Sequence, residues 1–442
     1  MREAIYDARA TLRWPKIVIL AIQHVFAFFG ATVLVPILTE LPVQTTLLFA
    51  GIGTLLFHVM TKFKVPAFLG SSFAFLGGFA MIESAPEYAS LPQGERLAYA
   101  CGGIVVAGLM YIILAFIIKA VGIKRVMRYL PPVVTGPIII CIGLSLAPSA
   151  INNASTNWLL AIIAIATVII FNIWGKGMFG IIPILMGVIV SYVVAVVMSL
   201  MGLTEINFSL ISEAPVVGLP PITIAKFGLS AIIIMAPISL ATMMEHIGDI
   251  SAISATTGKN FIEDPGLHRT LIGDGLATSL AAFFGGPANT TYGENTGVLA
   301  LTKVYDPFII RCSAVIAILL GFIPKISAII NTMPTAIIGG ISFILYGMIS
   351  AIGVRNMYEN HVSLSKSRNL IIVSVILVCG LGISSGITFE IAGHPITLTG
   401  LAIAAIVGIL LNAILPGKDY EFGNNQDQLA SEGTLAIKSN NK

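Results

Sequence analysis

Fourteen apolar runs follow one another between residues 16 and 415, most of them close to the roughly 20 residues a bilayer-crossing helix needs. Such a chain must satisfy its backbone polar groups within itself, because lipid cannot do so. Composition agrees. Hydrophobic residues make up 56% of the 442, charged residues only 10%, and mean hydropathy is +0.95, whereas ordinary soluble domains carry about 25% charged residues. The expected fold class is an all-α polytopic membrane protein with 14 transmembrane segments. The leader from Met1 to Lys16 is charged, and the run after it is too long for the core of a cleavable signal.

Lys and Arg in the short loops set the expected orientation. One side collects Arg2, Arg9, Arg13 and Lys16, then Lys62 and Lys64, Lys119 to Arg128, Lys176, Lys259 with Arg269, Lys303, Arg355 to Arg368, and the tail lysines. The other side offers only Arg96, Lys226 and Lys325. The alternation holds through all fourteen runs, so both termini are expected in the cytoplasm, in a multi-pass protein of the cytoplasmic membrane. Cys101, Cys141, Cys312 and Cys379 lie apart inside apolar runs, which is neither a disulfide framework nor a metal-ligand spacing. The tail after Pro416 is polar and expected to be disordered.

Two runs do not fit. The third, 67–83, and the tenth, 290–303, are too short or too polar for ordinary spans. They also resemble each other: Gly70-Ser71-Ser72-Phe73-Ala74 matches Asn289-Thr290-Thr291-Tyr292-Gly293, about 219 residues later. Gln23-His24-Val25 matches Glu245-His246-Ile247, and Pro131 with Gly136 matches Pro334 with Gly339. Two halves of seven spans follow, and because seven is odd they enter the membrane in opposite directions. A pair of interrupted segments at equivalent places in an inverted repeat marks a transporter's binding site.

The polar residues of these segments carry the chemistry. Glu245 and Asp249, in the eighth run (227–252), stand i and i+4 on one helix face with His246 flanking it. An ionisable side chain at membrane depth is a functional candidate; Asp249, near Lys259, also suits a solvated helix end. Glu294 and Asn295 sit where extended backbone turns into a short helix, beside Tyr292 and a Gly293 that lets a ligand approach the backbone. Phe73, by its repeat position, is a candidate stacking face. Gln23 and His24 suit interhelical hydrogen bonding or a place beside the site equally well. Carboxylates facing two backbone breaks, with aromatics beside them, suit a small planar ligand bearing N–H donors and C=O acceptors. A carboxyl in a low-dielectric cavity can also carry a proton, which points to proton-coupled uptake of a heterocycle.

At these residues the chain resembles the nucleobase–ascorbate transporter (nucleobase:cation symporter) family, and within it the bacterial uracil permeases. The family signature is matched by Glu294-Asn295-Thr296-Gly297 through Thr302-Lys303; Gln23-His24, Phe28 to Pro36, Leu69 to Phe75, Asp264 to Arg269 and Asn289 to Asn295 also match. The resemblance implies a 7+7 inverted repeat with short β-strands in segments 3 and 10, and usually a homodimer. It implies a leader (1–15), a core domain (16–125 and 226–325), a gate domain (126–225 and 326–415) and a tail (416–442). It further implies that Glu245 and Glu294 bind the base, Phe73 and Tyr292 flank its ring, Ala31 and Gly293 complete the pocket, and Tyr346 closes it from the gate. Glu245, Asp249, His246, His24 and Asn295 form the expected proton-coupling network. The expected ligands are a nucleobase, uracil first, and a proton, in a lipid bilayer. No nucleic acid, metal or other cofactor is expected.

Asp249 departs from this pattern. Uracil permeases often have His there and purine transporters Asp, whereas purine transporters have Gln where this chain has Glu294. A purine such as xanthine is therefore the second expectation. A sulfate-type anion transporter of related architecture is a distant third, since a carboxylate at 294 repels an anion. Enzyme chemistry is not expected: Glu245-His246 lacks the His-Glu-x-x-His zinc spacing, and Gly273-Asp274-Gly275 fits no aspartyl-protease order.

Overall fold

The computed structural model describes residues 4–383, 386–391 and 394–417; the expected disordered tail lies, from residue 418 onward, outside the described residues. All fourteen expected segments are present. Spans 1 to 7 are Trp14–Thr39, Val43–Met60, a broken third segment, Gln93–Val121, Pro132–Ser155, Trp158–Trp174 and Pro183–Leu200. Span 8 is Leu229–Met235 continued by Ile238–Thr257, and span 9 is Leu267–Phe283. After a broken tenth segment come Pro307–Gly321, Thr335–Glu359, Ser367–Gly382 and Gly400–Ile414 as spans 11 to 14. Among the described residues seven helices, with span 8 counted through its break, are long and apolar enough to cross a membrane singly. Pro307–Gly321 with Pro324–Asn331, bent by 76°, makes an eighth. Proline stands in the first turn of spans 1, 5, 7 and 11, where no intrahelical N–H is needed. Pro237 lies at the break in span 8, because its ring can neither donate a hydrogen bond nor pack inside a continuous helix.

Contacts between loops reproduce the charge alternation. The leader runs beside the end of span 10, with Ile5 bridged to Val304 and the Tyr6 hydroxyl donating to Thr257 O at 2.7 Å at the end of span 8. Lys64, after span 2, pairs with Asp264, after span 8, at 2.5 Å. Asn412 Nδ2, near the end of span 14, donates to Arg128 O at 3.1 Å after span 4. On the opposite face Lys226, before span 8, pairs with Glu95, at the start of span 4, at 2.8 Å. Loops that share a charge class therefore share a face.

Packing sorts the spans into two sets. Span 9 lies on spans 2 and 4, and span 11 on spans 1 and 2; span 12 lies on spans 5 and 6, and span 13 on spans 5 and 14. The start of the expected segment 14 (393–415) is a strand instead: His394–Leu398 pairs antiparallel with Ile387–Ile391, which lies between segments 13 (369–386) and 14. Their Ile, Thr and Phe content favours extended backbone, and an apolar run cannot by itself separate a strand from a helix end.

The broken segments meet. Strand β1 (Leu69–Ser71) pairs antiparallel with β2 (Asn289–Thr291), with Gly70 opposite Thr290 at the centre. Ser72 N donates to Ala288 O at 2.8 Å and Tyr292 N to Phe68 O at 3.0 Å, one bond beyond each end of the ladder. That symmetry relates Ser72 to Tyr292 and Phe73 to Gly293. The expected pairing of Phe73 with Tyr292 is therefore one residue out of register. Beyond the ladder, segment 3 continues as a turn at Phe73–Phe75 and the helix Leu76–Ser84, and segment 10 as the helix Gly293–Thr302. Gly70 is required by the crossing: a Cβ there would run into the Tyr292 ring and the Thr32 hydroxyl, whereas Gly77 has open space. Gly70→Ala should cost about 1–3 kcal/mol by overpacking and lower the thermal unfolding temperature in detergent, while Gly77→Ala leaves it unchanged. Equal behaviour of the two variants would refute this account of the crossing.

Candidate functional site

Neighbouring spans hold the crossing in place through its backbone. Thr54 of span 2 accepts from Leu69 N at 2.9 Å. Thr278 of span 9 donates to Asn289 O at 2.8 Å, and Asn289 Nδ2 donates to Phe49 O at 3.1 Å. The Tyr292 hydroxyl donates to Ser71 O at 2.8 Å and accepts from Thr32 at 3.3 Å. Tyr292 is thus buried with its hydroxyl engaged, and its ring lies against Gly70; the side chain locks one break onto the other. Ala31 is buried in the same apolar cluster, one turn of span 1 from Phe28.

Span 8 passes alongside the helix of segment 10. Glu245 and Asp249 are half-buried, while Gly248 between them faces open space. Asp249 Oδ2 accepts from Thr291 Oγ1 at 2.9 Å, and its other oxygen lies 3.8 Å from where a Cβ on Gly293 would stand. Asp249 therefore faces the crossing, not a solvated helix end. Gly293 is exposed and Glu294 half-buried at the first turn of the segment 10 helix, and Glu245, Asp249 and Glu294 are within electrostatic reach of one another. An open crevice lined by carboxyls and by backbone N–H groups at a helix start can hold a ligand that both donates and accepts hydrogen bonds.

Other expected site residues divide between scaffold and rim. His246 turns away from the crevice into span 9, fully buried, with Nδ1 2.9 Å from Asp274 Oδ2. Phe57 and Tyr111 meet its ring edge-on at 6.2 and 6.5 Å. The ring still touches the site through Thr291, whose Oγ1 lies 3.4 Å from His246 Nδ1. His24 is buried too, and Asn295 Nδ2 donates to its Nδ1 at 3.1 Å and to its carbonyl at 3.3 Å. His24 therefore ties span 1 to segment 10, the first of its two open readings. Phe73 is half-buried where the Ala31–Tyr292 cluster meets the cluster of Leu146, Ala150 and Tyr346. Tyr346, on span 12, is 2% exposed. Among the described residues, no group of three or more His, Cys, Asp or Glu side chains could hold a metal ion.

Comparison with known proteins decides the family. Residues 15–389 match the family model Xan_ur_permease, described as "Permease family". The chain belongs to this permease family. Among its relatives, the uracil permease of Bacillus caldolyticus is 41% identical over 427 residues, covering 94% of each chain. The uracil permease of Bacillus subtilis (strain 168) is 39% identical, covering 92% of this chain and 94% of the relative. Among solved structures, the transmembrane domain of a cyanobacterial bicarbonate transporter, BicA, matches with a TM-score of 0.59 at 16% identity, covering 90% of this chain and 97% of that one. The murine anion transporter Slc26a9 in its inward-facing state matches with a TM-score of 0.67 at 11% identity, covering 92% and 69%. At such identities these two share the fold alone.

The permease holds three groups near the site that the sequence reading passed over: Asp274, Thr291 and Thr32. Asp274 carried a usable signal, since a carboxylate inside a span is a functional candidate on its own; its Gly-Asp-Gly setting was weighed only as protease chemistry. The two threonines carried none, because hydroxyls are common in membrane helices. The His246–Asp274 contact should behave as a unit. His246→Ala and Asp274→Ala should each lower the unfolding temperature in detergent. The double variant should lose far less than their sum, a coupling of about 0.5–3 kcal/mol. Additive losses would show the two side chains to be independent.

Proposed function

We propose that this permease imports a nucleobase, uracil in the first place, in symport with protons. The observation that carries the reading is the crevice at the strand crossing, where Glu245, Asp249 and Glu294 gather beside the exposed Gly293 backbone. A flat ring with adjacent N–H and C=O groups matches carboxylate acceptors on one side and backbone N–H donors on the other. The relatives named uracil permease, alike across nearly their whole length, support the choice of ring. Glu245 and Glu294 bind the base, with Gly293, Ala31, Phe73 and Tyr292 shaping its pocket. Because Tyr292 is held by its hydroxyl, it shapes the pocket chiefly by keeping the crossing rigid, and Phe73 and Tyr346 form the rim shared with span 12.

In this reading spans 1–4 with 8–11 act as the core and spans 5–7 with 12–14 as the gate. Alternating access moves one against the other about the Phe73–Tyr346 rim. A carboxyl sheltered from water binds a proton more readily, so Glu245 and its neighbour Asp249 are the coupling groups, with His246, Asn295 and His24 holding them in place. The permease works as a homodimer in the cytoplasmic membrane, with both termini and the Lys/Arg-rich face in the cytoplasm. No cofactor besides the coupling proton takes part. A second reading, xanthine or another purine, is favoured by Asp249: its contact with Thr291 places a carboxylate at the edge of the crevice.

Glu245→Ala and Glu294→Ala should each weaken uracil binding to the purified protein at least tenfold, as expected for the loss of a charge-assisted hydrogen bond worth about 1.5–3 kcal/mol. Near-normal affinity in either variant would overturn the assignment. In proteoliposomes, Glu245→Gln should retain binding yet lose accumulation driven by a proton gradient; undiminished accumulation would remove Glu245 from the coupling. Asp249→His should raise the uracil-to-xanthine uptake ratio if Asp249 selects the ring, and an unchanged ratio would exclude it as selector.

A further inference from the structure

A cavity lies on the Lys/Arg-rich face. It has a volume of about 140 Å³ and sits where the last turns of spans 2 and 4 meet the first turn of span 9. Its polar lining is wholly basic or ionisable to a cation: Lys119 from span 4 and His268 and Arg269 from span 9. Met60, Phe116 and Ile272 form its apolar walls. Among the described residues none of the three basic side chains is within ion-pair distance of a carboxylate. Arg269 reaches only Met60 O, at 3.4 Å. Span 9 adds its own positive end, because Gly266 gives its first turn no side-chain cap.

Two cations, Lys119 and Arg269, without counter-ions are costly at a membrane boundary, and the surroundings show what can balance them. The wall residue Phe116 is 58% exposed, and Val59, Ile113 and Ile117 beside it are 51%, 52% and 45% exposed. This is a lipid-facing flank rising directly from a basic pocket. The volume accepts a phosphate group but not a whole lipid, so a headgroup would sit inside while acyl chains lie along the exposed apolar flank. A basic pocket between transmembrane helices at the headgroup level is a site for an anionic lipid.

We propose that this cavity binds the phosphate of an anionic glycerophospholipid, with Lys119, Arg269 and His268 as its ligands and Phe116 as the bed for an acyl chain. The site is separate from the substrate crevice and stands whether or not the nucleobase reading does.

The test uses the full-length protein in a neutral detergent. Its thermal unfolding is followed during titration with phosphatidylglycerol, with phosphatidylcholine of the same acyl chains, or with inorganic phosphate. Phosphatidylglycerol should raise the unfolding temperature saturably, and the other two should not. Lys119→Ala, which removes an exposed side chain, should weaken the apparent affinity for phosphatidylglycerol about fivefold, since a basic residue near an anionic lipid contributes about 1 kcal/mol. Lys119→Arg should preserve the affinity, and so should Lys176→Ala, at another basic position expected on the same face. Equal stabilisation by phosphatidylcholine would overturn the proposal. So would an unchanged affinity in Lys119→Ala, an equal loss in Lys176→Ala, or a full effect from inorganic phosphate alone.

Discussion

Two spans break inside the membrane, and each break is made tolerable by the other. An open strand edge in hydrocarbon leaves every N–H and C=O unpaired. Here the three residues of β1 and the three of β2 form one antiparallel ladder, closed at both ends by Ser72 to Ala288 and Tyr292 to Phe68. Thr54 and Thr278 then reach in from neighbouring helices to groups the ladder leaves over. The consequence is mechanical. Two short helices begin beside this one ladder, at Leu76 and Gly293.

Around that point the polar residues split into two kinds. One kind is paired and buried: His246 against Asp274, Asn295 against His24, Tyr292 against Ser71 and Thr32. Each pair joins a helix of one half-repeat to the other half or fastens span 8 to span 9. The other kind is half-buried and turned to the crevice: Glu245, Glu294 and Asp249, of which Asp249 alone has a described side-chain donor, Thr291. Buried polar pairs hold a scaffold in one arrangement because parting them would leave each partner unpaired away from water. Carboxyls left open, by contrast, gain most from a ligand that supplies donors. Holding and the proposed binding thus fall to different residues on the same helices.

Much of this was legible in the sequence, for physical reasons. The spans are visible because lipid demands long apolar runs, and their sidedness because loop charge alternates. Contacts such as Tyr6 with Thr257 and Asn412 with Arg128 bring like-charged loops together as that alternation requires. The broken segments were visible as polar interruptions at matching places. Their register was not. A three-residue strand has too few side chains to fix its pairing, so Phe73 was matched to Tyr292 when the ladder matches Ser72 to it. Glu245 and Asp249 were found by helical spacing. Asp274 was missed because its partner, His246, lies 28 residues earlier on another span, a distance no local spacing rule covers. The strand His394–Leu398 was read as the start of span 14 because hydropathy does not record backbone conformation.

The same fold occurs in two solved structures at 16% and 11% identity to this chain. A crossing of this kind offers backbone N–H groups at a helix start, which favour negative charge. In this chain three carboxyls stand beside those N–H groups. A free anion entering would meet repulsion that grows as water is excluded, while a neutral ring with N–H donors meets acceptors instead. On the proposed reading, selectivity resides in a few side chains laid over this backbone device. The carboxyl at 294 is the sharpest of these, because it grows from the very helix turn whose N–H groups would otherwise invite an anion.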